Sequence, residues 1–177
     1  MPRDPGQTDR LIRRLRWDEL DEGWLRAFAA LARDEDVAGA GLATRPGVRG
    51  DPSAALLAGA GRARAHVVAR RTMTIAGLGM MRPIFAAYDQ ACVGRPLVAE
   101  GAEVAAGTAV ADVEGPAAAL LSAERILLNF LQRLSGVATR TREHVRALGA
   151  SPTCLLDTRK TTPGFRMLEK YAVGQGG

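Results

Sequence analysis

From Asp18 to Arg33 apolar residues return every three or four positions (Leu20, Trp24, Leu25, Phe28, Leu31, Ala32), which predicts an amphipathic helix. Val37–Pro52 is rich in Gly and Ala with two prolines and predicts a loop. Moderate alternation over Ala63–Ala69 predicts a strand that continues through Thr72–Ile75. Gly77–Tyr88 then predicts a helix, with Pro83 placed near its start, where a missing N–H is tolerated. In Val98–Val113 short apolar pieces are separated by Gly101 and Gly107, the pattern of small strands and tight turns.

Pro116 is well placed to open a helix. The chain then runs from Ala117 to Leu134 almost without a breaker, so a helix ending at Ser135-Gly136 is expected. A second helix, Ala138–Leu148, should close at Gly149. Beyond Pro152 the pattern changes. Thr153–Leu156 predicts a brief strand, Asp157–Gly164 a polar loop and Phe165–Val173 a helix, before four residues, Gly174–Gly177, that include three glycines. Helix, strand, polar loop and helix in that order are the opening of an α/β layer, with one strand supplied.

The 177 residues fit one ordinary domain, or a small one and part of another, and 47% apolar content argues for a folded protein. The net charge of +5 widens the choice to nucleic acid, a membrane surface or an acidic small molecule. Apart from Arg10, Arg13, Arg14 and Arg16 the arginines are scattered, and an aromatic content of 5% leaves few platforms for stacking bases, which argues against nucleic acid. No apolar run approaches the ~18 residues of a membrane span, and the amino terminus has no signal-like apolar region. Cys92 and Cys154 match no metal or redox spacing and suit a reducing compartment, each as a small buried residue. These features point to a soluble, cytoplasmic protein.

The loop after the predicted Thr153–Leu156 strand carries the strongest chemical signal. Ligands of parallel α/β folds bind at the carboxyl ends of strands. Here Arg159 and Lys160 stand side by side among Thr158, Thr161 and Thr162. A guanidinium fork, a compact ammonium and hydroxyl donors suit a polyanion. A solvated basic turn is the bland alternative. Arg125, in the middle of a long apolar helix, needs a partner: Glu124, another subunit or a ligand. His66 and His144 stand apart from any acid or nucleophile and read as structural. The closing glycines read as a helix cap or, more weakly, as a phosphate-cradling turn.

Taken together, AERILLNFLQRLSGVATRT (Ala123–Thr141), LLDTRKTTPGFRMLEKYAV (Leu155–Val173) and the trailing glycines resemble the quinolinate phosphoribosyltransferase family. The likeness covers residues 55–177 well and the first 50 poorly. It implies transfer of phosphoribose from phosphoribosyl pyrophosphate to the ring nitrogen of quinolinate, with Mg²⁺, releasing pyrophosphate and CO2 to give nicotinate mononucleotide. It also implies an α+β fold: an open-faced sandwich domain followed by an incomplete α/β barrel. On this chain that gives a loose basic tail at 1–16, the sandwich at 17–116, junction helices at 117–150 and the first strand and helix of the barrel at 151–177. The family works as a homodimer. The resemblance therefore implies that Arg125 reaches across the subunit interface to quinolinate. Thr158, Arg159 and Lys160 would hold that substrate, with Lys160 as the catalytic residue.

The chain departs from the family in two places. Glu35-Asp36 keeps the acidic pair of an early family motif, but Gly41 or Leu42 stands where a later Asp is usual. The next family motif, Asn-His-Arg, would begin past Gly177, so the ligands of Mg²⁺ and phosphoribose are expected outside these residues. The expectation is a fragment of a longer enzyme, inactive alone. The alternative is a truncated, non-catalytic homologue that binds anions or pairs with a full-length subunit. A likeness of Glu100–Val113 to a lipoyl or biotinyl carrier hairpin fails, because no lysine precedes Lys160.

Overall fold

The computed structural model describes residues 13–48 and 50–177. A single 3-10 turn, Trp17–Glu19, leads into helix α1, Glu22–Ala38. The helix starts where the Asp21 carboxylate accepts the Trp24 N–H at 2.6 Å. It stops at Gly39, whose left-handed φ of 63° closes the last turn. The predicted span Asp18–Arg33 is thus shifted toward the carboxyl end. The predicted tail at 1–16 lies outside the described residues through residue 12.

After the predicted loop, a short helix α2, Pro52–Ala55, is capped by Asp51. Strand β1, Arg62–Val68, follows, then β2, Met73–Thr74, and helix α3, Met81–Tyr88, entered through a 3-10 turn at Leu78–Met80. Strands β3 (Val93–Pro96), β4 (Glu103–Val104) and β5 (Ala109–Pro116) lead into helix α4, Ala117–Leu148. The last element is helix α5, Arg166–Gly176.

The main sheet is antiparallel in the order β1-β5-β3, and β2 pairs with β4 in a second, two-stranded sheet. The strand expected to run unbroken from Ala63 to Ile75 is therefore two strands in different sheets. On the open face of the main sheet, His66 faces Asp112 at 2.6 Å, and Arg62 and Arg64 reach Glu114 at 3.2 and 3.5 Å. Ala111 and Val113 are buried on the opposite face, against which α3 and α4 pack. His66 is thus paired with Asp112 across β1 and β5, while His144 is exposed on α4. The fold is α+β, with one sheet face covered and one open.

Helix α4 continues through Ser135-Gly136, where a break was expected. Buried Ser135 does not end the helix, because its hydroxyl accepts from the Ala76 N–H at 3.1 Å and donates to the Ala76 carbonyl at 3.2 Å. One turn later Thr139 accepts the Thr74 N–H at 2.9 Å. The polar residues that look like a stop signal are a seam joining α4 to the β2 segment. At 32 residues, α4 is about 48 Å long and forms the spine of the molecule.

Two expectations about the carboxyl-terminal stretch fail. Thr153–Leu156 forms no strand, since backbone pairing needs a neighbouring ladder and none lies beside it among the described residues. Leu155 and Leu156 are accordingly 45% and 52% exposed, and Cys154, expected to be buried, is exposed on the same segment. Of the closing glycines, Gly174 and Gly176 are helical and Gly177 caps the helix, as one of the two readings expected. A Cβ on Gly176 would lie 2.4 Å from the Thr141 Cβ and 2.6 Å from the Ala138 carbonyl oxygen, so glycine permits the close approach of α5 to α4. Cys92 is buried as expected. No described helix is long and apolar enough to cross a membrane.

Candidate functional site

The basic loop Asp157–Gly164 is held at both ends. Lys170 Nζ donates to the two carboxylate oxygens of Asp157 at 2.7 and 2.6 Å. At the other end Thr162 donates its N–H to Glu169 Oε2 at 3.1 Å and its hydroxyl to Glu169 Oε1 at 2.8 Å. Arg133, from α4, donates one nitrogen to Glu169 at 2.6 Å and to the Thr162 hydroxyl at 2.9 Å. The Glu169 residue is 8% exposed. Burial works to raise its carboxyl, but the bonds from Arg133 and Thr162 outweigh burial and hold it below the usual carboxylate range. Just past the loop, Phe165 stacks on Phe130 and meets Phe28 edge-on, which fixes where α5 begins.

Between those anchors the chain arches through Thr158, Arg159, Lys160 and Thr161. The Lys160 N–H donates to the Thr158 hydroxyl at 3.0 Å, and Arg166 donates to the Thr161 hydroxyl at 3.2 Å. Thr158, Arg159 and Lys160 are exposed. Every ion pair at the loop involves its anchors, and among the described residues Arg159 and Lys160 have none. The arrangement presents two adjacent cations on a supported backbone.

Arg125 sits two turns earlier on α4 and faces a different neighbourhood. Its guanidinium donates to Asp36 Oδ1 at 2.6 Å and stands 3.8 Å from Asp51 Oδ2. Glu124, one of the partners the sequence offered, is not used, because consecutive helical residues point in different directions. Tyr88 donates its hydroxyl to Asp36 at 3.4 Å, and burial, reinforced by the Asp36 charge, pushes the phenol well above its usual range. The side chains of Asp36 and Asp51 are nearly covered, whereas that of Arg125 is 56% exposed. Part of its five-donor fork therefore faces outward.

Within one chain the two basic centres stay apart. Arg125 lies about 12 Å along the axis from Arg133, the α4 residue that touches the loop. No hydrogen bond or ion pair among the described residues joins Arg125 to Thr158, Arg159 or Lys160. No group of three or more His, Cys, Asp or Glu able to hold a metal occurs among the described residues. Sequence reasoning missed Arg133, Glu169, Lys170 and Asp51 as parts of these centres. The adjacent Glu169-Lys170 pair just after the loop is the one local signal that could have pointed to its anchoring.

The family model described as "Quinolinate phosphoribosyl transferase, N-terminal domain" matches residues 53–135, and that described as its "C-terminal domain" matches 137–177. A probable nicotinate-nucleotide pyrophosphorylase (carboxylating) of Bacillus subtilis is 44% identical over 128 residues, covering 72% of this chain and 44% of the relative. One from Synechocystis is 46% identical over 129 residues, covering 73% of this chain and 44% of its own length. The structure of the nicotinate-nucleotide pyrophosphorylase from Francisella tularensis superposes with a TM-score of 0.80 at 30% identity, covering 93% of this chain and 56% of that one. The chain spans less than half the length of the two relatives. The two family models between them span nearly all of the α4 segment and the whole basic loop, and the chain belongs to the quinolinate phosphoribosyltransferase family.

Proposed function

We propose that this chain supplies the quinolinate-binding part of a cytoplasmic quinolinate phosphoribosyltransferase, which makes nicotinate mononucleotide for NAD biosynthesis. The reading rests chiefly on Arg159 and Lys160, adjacent cations without ion-pair partners among the described residues, on a loop whose ends are both tied down. Quinolinate carries two neighbouring carboxylates. The Arg159 fork suits one by paired hydrogen bonds, Lys160 suits the other as a point charge, and the Thr158 hydroxyl adds a donor. In the reaction a bond forms between the ring nitrogen and the ribose carbon as pyrophosphate leaves. CO2 then departs from the adjacent carbon, and a proton replaces it. Lys160, beside the carboxylates, is the residue assigned to touch the reacting group.

The same reading makes the functional unit a homodimer in which Arg125 of one copy reaches quinolinate bound to the other. Its outward-facing donors and its tether to Asp36 support this. Residues 17–116 are then the covering domain, 117–150 the junction and 151–177 the first part of the catalytic domain. Mg²⁺ belongs with phosphoribosyl pyrophosphate, and no step is assigned to it through residues of this chain. The test compares quinolinate with nicotinate, which lacks one carboxylate, by calorimetric titration of the chain. Tighter binding of quinolinate is expected; equal binding of the two contradicts the two-cation reading.

A further inference from the structure

We propose that Glu169 and Lys170 are positioning residues that clamp the two ends of the Asp157–Thr162 arch and so set Arg159 and Lys160 for a dicarboxylate, an inference that rests on the function proposed above. The two residues are consecutive on α5, yet they act at opposite ends of the loop. Lys170 holds Asp157 through both carboxylate oxygens, and Glu169 holds the N–H and the hydroxyl of Thr162. A rigid helix thus fixes both feet of an arch whose crown carries the cations.

The clamp also sorts charge. Asp157 and Glu169 are acids beside a proposed anion site, and unpaired they would repel the ligand. Asp157 is neutralised by Lys170 at 2.6 Å and Glu169 by Arg133 at 2.6 Å. Arg159 and Lys160 are left as uncompensated charge at the crown. Glu169 cannot be a direct ligand contact, because it is buried and its oxygens are occupied by Thr162 and Arg133. Its effect on binding must pass through the loop.

The expected magnitude follows from population. If the clamped arrangement falls to about one tenth of the molecules, the apparent dissociation constant rises about tenfold. The experiment uses the 177-residue chain, with amide hydrogen exchange at Thr162 as one readout and calorimetric titration with pyridine-2,3-dicarboxylate as the other. Glu169→Ala should speed exchange at Thr162, leave Leu168, Tyr171 and Ala172 protected, and weaken the dicarboxylate about tenfold. Glu169→Gln, which keeps an acceptor for the Thr162 N–H, should recover part of both. Lys170→Met tests the Asp157 end at a half-buried site independently of the buried Glu169, and should also weaken the ligand.

Failure of the clamp is distinguishable from failure of the function. If Arg159→Ala with Lys160→Ala abolishes binding while Glu169→Ala and Lys170→Met change neither affinity nor Thr162 exchange, the clamp is overturned and the function stands. If the wild-type chain binds no dicarboxylate but Thr162 exchange still rises in Glu169→Ala, the mechanical clamp stands and its assignment to a dicarboxylate site falls with the function.

Discussion

Arg125 and Asp36, 89 residues apart in sequence, meet at 2.6 Å, and the nearly covered carboxylate of Asp36 fixes one edge of a guanidinium whose other edge is open. Hydrogen bonding to Asp36 is the main cause of an upward shift in the Arg125 pKa, so the charge is permanent at any physiological pH. Asp36 is the second residue of the acidic Glu35-Asp36 pair, and holding Arg125 gives it a physical task.

Arg125→Ala is expected to reduce quinolinate kcat/KM of the assembled enzyme by about 2–5 kcal/mol of transition-state stabilisation, the usual effect of losing one partner of a charge-assisted contact. The accompanying loss of folding stability comes from leaving the nearly covered Asp36 without its cation and should be about 1–3 kcal/mol. Kinetics and denaturant unfolding of the same preparation separate the two. In the proposed homodimer, mixing Arg125→Ala with Lys160→Ala subunits should restore activity, since one site of a mixed pair keeps both residues; no recovery would place Arg125 in its own subunit's site.

Ser135→Ala removes the hydroxyl that pairs with both backbone groups of Ala76 in the core. Leaving them unpaired should cost about 1–3 kcal/mol. For a chain of this size that lowers Tm by about 2–4 °C for each kcal/mol. Calorimetric scanning tests this, and an unchanged Tm would show that the seam between α4 and the β2 segment contributes nothing.

Glu169 and Glu100 should respond to acid in opposite senses. The folded-state pKa of Glu169 is depressed, so its contribution is present above the unfolded value of 4.5 and is lost as pH falls through the lower folded value. The stability gap between the wild type and Glu169→Gln should therefore narrow below pH 4.5. Burial raises Glu100 despite its bonds from the Gly77, Leu78 and Gly79 N–H groups and from Tyr171. Its contribution is present below 4.5 and lost as pH rises through the raised folded value. The gap between the wild type and Glu100→Gln should accordingly shift in favour of the wild type on acidification. Denaturant unfolding across a pH series measures both.

Hydrogen exchange should divide the last 25 or so residues sharply. Leu155 and Leu156 lie on an unpaired, exposed segment and should exchange quickly, whereas Leu168, Tyr171 and Ala172 are buried on α5 and should be protected. Protection over Thr153–Leu156 matching that of α5 would mean that the segment has a ladder partner after all, for instance in a second copy.

Much of this arrangement was legible in the sequence, for reasons that differ by residue. Pro116 and Gly39 mark helix ends through backbone constraints of their own, so the start of α4 could be read locally and the loop after α1 came close. Arg159 and Lys160 could be read because adjacent charges in a polar loop need no distant information. Ser135 misled, since a hydroxyl before a glycine looks like a stop until its partner Ala76, 59 residues away, is in view. Thr153–Leu156 has strand-like composition, but pairing is a property of two segments. Arg133 and Glu169 were invisible for the same reason: their pairing spans 36 residues and rests on the packing of α5 against α4.

The most direct test of the account is a titration of the chain with quinolinate at increasing ionic strength, beside Arg159→Ala/Lys160→Ala. Saturable binding that weakens as salt screens the exposed cations, and that vanishes in the double variant, is the predicted result. Binding of equal strength in the wild type and the double variant would contradict the assignment of the Thr158–Lys160 loop to the substrate carboxylates.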